Sequence, residues 1–156
     1  MKICRYLRTK YIFLNASFPD KESVLRFVAD ICAKDGIVKD ADALYEGMKK
    51  REQTMSTGVG SGIALPHTTS REVQDTSVIL IHLTEPIDFE ALDALPVDII
   101  LALIVPDNQA DLHLRILAGI SRLCRKPEFL ETVRKAGNPK KLCEEISDLE
   151  EKMPFH

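Results

Sequence analysis

The 156-residue chain lacks the features by which nucleic-acid-binding, membrane and secreted proteins are recognised. Basic residues are not in excess, since the formal net charge is −3 and the pI is near 5.8. No apolar run approaches the roughly 20 residues that a membrane helix needs, and residues 1–8 are too polar for a signal peptide. We therefore expect no nucleic-acid partner and no membrane insertion, and we predict a soluble protein of the cytoplasm.

Cysteine motifs and several enzyme motifs are also absent. Cys4, Cys32, Cys124 and Cys143 are widely spaced and form no CxxC pair, and three of them fall within periodic apolar patterns. We expect reduced thiols in or near the core rather than disulfides. No Gly-Lys-Ser/Thr of a P-loop, HExxH motif or Gly-x-Ser-x-Gly elbow occurs, so we expect no bound nucleotide, no metal and no cofactor.

The hydrophobic pattern predicts an α/β fold. Strand-length apolar runs rich in Val and Ile occur at residues 12–14, 63–65, 77–83 and 97–105. Helical spacing of apolar residues occurs at 20–35, from 40 to about 51 or 53, from 110 to 124, at 127–136 and from 139 to about 149. A chain of this length can form a core without staples. The order of elements predicts a single domain over residues 1–156, a three-layer sandwich in which a mixed central β-sheet has helices on both faces.

The most informative segment is residues 51–67, Arg-Glu-Gln-Thr-Met-Ser-Thr-Gly-Val-Gly-Ser-Gly-Ile-Ala-Leu-Pro-His. A helical pattern gives way there to a hydroxyl- and glycine-rich loop, then to a short strand that ends in histidine. Glycine permits positive φ and close approach of the backbone, so successive N–H groups can surround an anion. We predict that Ser56, Thr57, Gly58 and Gly60 bind a phosphate.

Three side chains complete a candidate site for phosphoryl chemistry. Neutral imidazole can attack phosphorus without a base to activate it, which makes His67 the candidate nucleophile. His113 opens a predicted helix and shares the inward stripe of Ile120, whereas Arg51 shares the inward face of Met48. An imidazole N–H and a guanidinium can both donate to phosphoryl oxygens, so we predict that His113 and Arg51 stabilise the transferred group.

The residues alone leave other interpretations open. A lone histidine on an apolar stripe is often structural, and the spaced glycines can be a tight turn. We interpret His82, inside an apolar run, as structural, and His156 as part of a frayed terminus. His67, His113 and an acid could also meet in space and bind a metal or a small anion without any transfer.

The same segment resembles a known family. Arg51-Glu52, followed by Ser56-Thr57-Gly58-Val59-Gly60-x-Gly62-Ile63-Ala64-Leu65-Pro66-His67, closely resembles the signature of the IIA components of the bacterial phosphotransferase system, in the fructose, mannitol and nitrogen-regulatory superfamily. The resemblance continues through 85–89, 96–98 and 105–114, and it covers about residues 10–150.

The resemblance implies a phosphoryl carrier with an α/β sandwich fold. In such proteins the histidine that matches His67 accepts phosphate from the phosphohistidine of HPr or an HPr-like protein, which enzyme I charges from phosphoenolpyruvate. The residues that match His113 and Arg51 help to hold the phosphoryl group. In sugar systems the phosphate passes to a cysteine of a IIB domain, whereas in the nitrogen-regulatory branch the phosphorylation state itself controls regulatory partners.

Four features of the sequence bear on which branch of the superfamily it resembles. Met55 stands where glycine is common, and Thr68-Thr69 stands where glycine and a basic residue usually follow the histidine. No HPr, IIB or IIC segment is joined to the sequence. The stretch Leu-Ile-Val-Pro, at 103–106, precedes the second histidine, His113. The lack of a joined segment and the Leu-Ile-Val-Pro stretch favour the nitrogen-regulatory type, and a stand-alone fructose- or mannitol-like IIA is the alternative.

Overall fold

A mixed β-sheet lies at the centre of the fold. The computed structural model describes residues 2–153. Within those residues the strands are β1 (Ile12–Ala16), β2 (Gly58–Gly60), β3 (Ile63–Ala64), β4 (His67–Ser70), β5 (Ser77–Ile87) and β6 (Val97–Pro106). The order in the sheet is β1-β5-β6-β3-β2, and β4 also pairs with β6. Strands β5 and β6 are antiparallel, whereas β3 and β4 both run parallel to β6, one after the other along its length.

Helices cover both faces of this sheet. They are α1 (Lys21–Lys34), α2 (Ala41–Thr54), α3 (Ala110–Cys124), α4 (Pro127–Lys135) and α5 (Pro139–Glu151), and short 3₁₀ turns occupy Ile3–Arg5 and Thr9–Tyr11. Side-chain oxygens of Asp20, Asp40 and Asn138 accept from backbone N–H groups in the first turns of α1, α2 and α5. Such capping satisfies donors that have no partner inside the helix.

Strand β6 separates two apolar cores. Its residues Ile100, Ala102 and Ile104 pack with the buried faces of α1 and α2. The alternate residues, Leu101 and Leu103 among them, pack with α3, α4 and α5. This alternation is what a strand buried on both faces requires. The predicted three-layer α/β sandwich with a mixed central sheet is therefore confirmed.

The sequence pattern missed two short strands. We expected a strand to end at His67, but β3 ends at Ala64 and His67 begins β4 instead. Pro66, which has no N–H to donate, lies in the gap, and its carbonyl accepts from the N–H of Leu103 at 2.9 Å. Strand β2, at the edge of the sheet, consists of two glycines around Val59, so its composition gave no strand signal.

Two smaller expectations concern cysteines and termini. All four cysteines are free, as predicted; Cys32 and Cys124 are buried, whereas Cys4 and Cys143 are half-buried. His156 lies outside the described residues. Within residues 2–153, no helix is long and apolar enough to cross a membrane.

Candidate functional site

His67 lies half-buried at the start of β4, in register with Leu103 of β6. Its ring nitrogen Nδ1 lies 2.8 Å from the backbone carbonyl oxygen of Leu65. A carbonyl oxygen can only accept, so Nδ1 must carry the hydrogen of the neutral ring. The lone pair of the neutral imidazole is therefore on Nε2.

His113 meets His67 because of the way β6 continues into α3. Strand β4 runs parallel to β6, so both end at the same edge of the sheet, where the Asp107 N–H donates to the Ser70 carbonyl at 3.3 Å. Helix α3 starts there, and His113 occupies its first turn. The two imidazole rings are edge to face, with centroids 5.3 Å apart. Nε2 of His113 is buried and has no hydrogen-bond partner among the described residues.

Arg51 reaches the same place from the opposite layer. Helix α2 packs against β4, and a Cβ built on its Gly47 would lie 3.0 Å from Oγ1 of Thr68. Arg51 lies one turn further along and donates from Nη1 to the Met55 carbonyl at 2.8 Å. Within residues 2–153 it forms no ion pair with a carboxylate. The structure therefore brings the rings of His67 and His113 into contact, and the charge of Arg51 acts on His67. That the three side chains act on one phosphoryl group stays a prediction.

Burial and charge keep both imidazoles neutral. The pKa of His67 is lowered below 6.5, chiefly because burial disfavours the charged ring, and the positive charge of Arg51 lowers it further. Burial also lowers the pKa of His113, with a smaller contribution from His67. At pH 7 His67 therefore has an unprotonated Nε2, the form that a nucleophile requires.

Ser56 and Thr57 lie beside this site, but their hydroxyls already have partners. Ser56 Oγ donates to the Phe89 carbonyl at 2.6 Å and accepts from the N–H of Gly58 at 3.0 Å. Thr57 Oγ1 donates to the carboxylate of Glu52, and the Thr57 carbonyl accepts from Leu65 N–H at 2.9 Å. Thr57 is linked to His67 through the Leu65 peptide, and contact of Ser56 or Thr57 with a phosphoryl group remains a prediction.

The glycine run is a β-hairpin and not an open cradle. Gly58 pairs with Ala64, and Gly60 pairs with Ile63, which pairs with Ile99 four residues before the partner of His67. At about 3.3 Å per residue, Gly60 lies roughly 13 Å along the sheet from His67. The N–H of Ser61 at the tip donates to Asp93 at 3.0 Å. The register therefore does not bring Gly60 to His67, and the positive φ values near the tip serve the turn.

Sequence reasoning missed Glu52 as a component of the site. Its side chain is 5% exposed, and it binds Thr57 and the ammonium group of Lys21, whose Nζ lies 2.8 Å from Oε1. One signal was available, because Glu52 follows the buried Leu44 and Met48 at successive spacings of four residues. Elsewhere in residues 2–153, as here, no three His, Cys, Asp or Glu side chains gather as a metal site would require.

A family model matches most of this chain. The phosphoenolpyruvate-dependent sugar phosphotransferase system EIIA 2 family matches residues 5–149. The chain belongs to this family. A nitrogen regulatory protein of Pseudomonas aeruginosa is 31% identical over 137 residues, which span 88% of this chain and 89% of that protein. A fructose-specific EIIA component of Haloferax volcanii is 33% identical over 116 residues, or 74% of this chain and 75% of that one.

Solved structures share the fold of this EIIA chain. The crystal structure of the nitrogen regulatory protein IIA-Ntr from Neisseria meningitidis superposes with a TM-score of 0.86, at 24% identity, over 92% of this chain and 98% of the other. The mannitol enzyme IIA of Escherichia coli, solved in complex with phosphorylated enzyme IIB, superposes with a TM-score of 0.76, at 19% identity, over 91% and 99%. The predicted family membership is confirmed.

Proposed function

We propose that this EIIA chain is a phosphoryl carrier that accepts its phosphoryl group on Nε2 of His67. The observation that supports this most directly is the hydrogen bond from Nδ1 to the Leu65 carbonyl at 2.8 Å, which leaves the lone pair of the neutral ring on Nε2. Two further groups support the proposal: Arg51, which has no carboxylate partner among the described residues and whose charge acts on His67, and His113, whose ring lies 5.3 Å from that of His67 and whose Nε2 has no partner among those residues. Both can stabilise the equatorial oxygens of the phosphoryl group in transit.

The reaction is a displacement at phosphorus. The lone pair of Nε2 forms the new P–N bond while the P–N bond of the donor phosphohistidine breaks, and the donor ring leaves with that electron pair. The hydrogen stays on Nδ1 and is donated to the Leu65 carbonyl throughout, so no base has to remove a proton. In the onward step a cysteine thiolate attacks phosphorus, and the electron pair of the broken P–N bond returns to Nε2.

Membership of the family supports the partners that we propose. The donor is HPr or an HPr-like phosphocarrier, and the acceptor is a IIB domain or a regulatory target protein. The mannitol IIA of E. coli has been captured with phosphorylated IIB. We favour the nitrogen-regulatory branch, because nitrogen regulatory relatives of Pseudomonas aeruginosa and Haemophilus influenzae align over 88% and 97% of this chain, against 87% for a fructose-specific EIIABC component and 74% for the fructose-specific EIIA of Haloferax volcanii. That fructose-specific relative, at 33% identity, supports sugar transport as the second candidate.

Phosphorylation in vitro tests the carrier function. The protein is incubated with phosphoenolpyruvate, enzyme I and HPr, and we expect acid-labile phosphate on the wild type and none on His67→Ala. ³¹P NMR of the product should give the shift of an Nε2-phosphohistidine rather than an Nδ1 one. His82→Ala is the matched control, because it removes a half-buried histidine from another part of the sheet. A wild type that stays unlabelled with the nitrogen-branch and the sugar-branch donors would contradict the proposal.

Onward transfer separates the two branches. The phosphorylated protein is mixed with the soluble IIB domains of fructose and mannitol systems. The nitrogen-regulatory assignment predicts that the phosphate stays on His67, whereas rapid transfer to a IIB cysteine, lost when that cysteine is replaced by serine, would assign the chain to transport.

A further inference from the structure

A buried carboxylate lies behind the phosphoryl site and has no part in the transfer described above. Glu52 accepts from the N–H of Thr57 at 3.1 Å and from the Thr57 hydroxyl. Its charge is balanced by Lys21, whose side chain is 14% exposed and whose Nζ also lies 3.4 Å from the Phe89 carbonyl. A buried charge without a partner is costly, so this pairing fixes both side chains and the peptide of Thr57 between them.

One arm of hydrogen bonds leads from Glu52 to the imidazole of His67. The Thr57 carbonyl accepts from the N–H of Leu65 at 2.9 Å, and the Leu65 carbonyl accepts from Nδ1 of His67 at 2.8 Å. Leu65 lies outside both β3 and β4 and precedes Pro66, which has no N–H. The contact with Thr57 therefore orients the Leu65 peptide, and that peptide orients the ring.

A second arm leads to the guanidinium. The Met55 carbonyl, which accepts from Nη1 of Arg51, belongs to the same three-residue segment as Thr57. Ser56, between them, donates to the Phe89 carbonyl that Lys21 also approaches. Residues 55–57 therefore supply both the Met55 carbonyl that binds Arg51 and the Thr57 carbonyl that holds the Leu65 peptide beside His67. The Glu52 carboxylate fixes this segment through its contacts with Thr57.

We propose that Glu52 is a positioning residue of the phosphoryl site, which sets the tautomer and direction of His67 and the direction of Arg51 through residues 55–57. Lys21 neutralises Glu52, so that the carboxylate can lie near a phosphoryl dianion without repelling it. This inference rests on the proposed function for its kinetic consequence, although its effect on the imidazole does not depend on any transfer.

The first test needs no phosphate. In protein labelled with ¹⁵N-histidine, NMR reports which ring nitrogen of neutral His67 carries the hydrogen. We expect the wild type to hold it on Nδ1, and Glu52→Gln and Thr57→Val to give a mixture of both tautomers. Thr57→Ser, which keeps the hydroxyl, should retain the wild-type tautomer. Thr57→Val leaves the backbone contact with Glu52 in place and serves as the decisive variant if Glu52→Gln does not fold.

Glu150 provides the matched control. Counted over the whole residue, it is 8% exposed, as is Glu52, and it also accepts from backbone N–H groups, those of Ile3 at 2.6 Å and Cys4 at 3.2 Å. Glu150→Gln should lower stability but leave the His67 tautomer as it is in the wild type. A change of tautomer in this variant as large as that in Glu52→Gln would show that loss of any buried carboxylate is enough, and would overturn the proposal.

Kinetics complete the test. From phosphorylated HPr, we expect Glu52→Gln and Thr57→Val to accept phosphate roughly 10- to 100-fold more slowly with little change in KM, because a misdirected nucleophile affects the chemical step. Glu150→Gln should keep the wild-type rate. Folded variants with both the wild-type tautomer and the wild-type rate would refute the positioning role. An unlabelled wild type would instead refute the proposed function, and the tautomer measurement would still decide the role of Glu52.

Discussion

Two half-buried histidines on the central sheet each have an arginine nearby, and the two arginines differ in their partners. Near His82, Arg134 donates from Nε and Nη2 to both carboxylate oxygens of Asp98, each at 2.8 Å. Near His67, Arg51 donates to a backbone carbonyl and, among residues 2–153, to no carboxylate. One cation is therefore neutralised inside the protein, whereas the other retains its charge for an incoming anion. The state of the arginine, and not the presence of a histidine, distinguishes the proposed phosphoryl site.

An unpartnered ring nitrogen does not make the same distinction. In the described part of the chain, Nδ1 of His82 is buried without a hydrogen-bond partner, as is Nε2 of His113. However, Nε2 of His82 faces the carboxylate of Asp98 at 3.5 Å, whereas the ring of His113 faces another imidazole. A carboxylate repels phosphate, so the surroundings of His82 do not suit the chemistry proposed for His67.

The largest expected difference between the two arginines is in rate. Arg51→Gln should slow phosphoryl acceptance by about 10²- to 10³-fold, the effect of removing one oriented donor from a charged transition state. Arg134→Gln should leave the rate unchanged and lower the free energy of unfolding by about 1 kcal/mol, a modest value because the pair is partly exposed. Transfer from phosphorylated HPr and urea unfolding measure the two effects. Equal rates in the two variants would contradict the claim that Arg51, unlike Arg134, acts on the phosphoryl group.

A smaller loss is expected for the second histidine. His113→Ala removes one donor to the phosphoryl oxygens, and a hydrogen bond to a charged group contributes about 1.5–3 kcal/mol, or roughly 10- to 150-fold in rate. His82→Ala creates a cavity of similar size but should leave the rate unchanged. Both variants are measured at matched folded fractions, determined by circular dichroism. If His82→Ala were as slow as His113→Ala, general destabilisation would explain both results.

The convergence of the site could be predicted because it depends on periodicity. Helical spacing turned His113 and Arg51 inward, and the long apolar runs located β5 and β6. The hairpin could not be predicted in this way, since glycines at 58, 60 and 62 fit an anion cradle and a tight turn equally well. Only the register with β6 separates Gly60 from His67. That register is set by contacts between segments more than 30 residues apart, which local spacing does not contain.

Glu52 was missed for a related reason. An acidic residue at an inward helical position is usually assigned to the solvated edge of the face, because burial of a carboxylate requires partners. Its partners are Lys21, 31 residues earlier in the chain, and the hydroxyl and N–H of Thr57. Nothing in the sequence pairs these residues until α1 and α2 are packed side by side.

The packing of α2 on β4 offers a finer test of how Arg51 is held. In Gly47→Ala the new methyl group would lie about 3.0 Å from Thr68 Oγ1, so the helix or the threonine must shift by a few tenths of an ångström. We expect a loss of rate of about threefold, because Arg51 lies one turn further along the same helix. The double variant Gly47→Ala, Thr68→Ala removes the clash, so it should recover the rate and gain about 0.5–1 kcal/mol of helix stability. A double variant that stays slow would mean that Gly47 does not act through this contact.

The smallest expected effect is a change in the pKa of His67, which substitution of Arg51 should produce and substitution of Arg134 should not. In the wild type, burial and then the charge of Arg51 lower the pKa of His67 below 6.5, so acceptance of phosphate should hold at pH 7 and fall only in more acidic solution, as Nε2 becomes protonated.

Arg51→Gln removes a positive charge and should raise the pKa of His67, whereas Arg51→Lys keeps the charge and should leave the pKa low. In Arg51→Gln burial still lowers the pKa, whereas the hydrogen bond to Leu65 and the charge of Glu52 raise it. Arg134, already paired with Asp98, should have no influence, so ¹H–¹⁵N spectra of His67 in Arg134→Gln should titrate as in the wild type. A shift of the His67 pKa in Arg134→Gln, or none in Arg51→Gln, would show that the free charge of Arg51 is not what acts on the nucleophile.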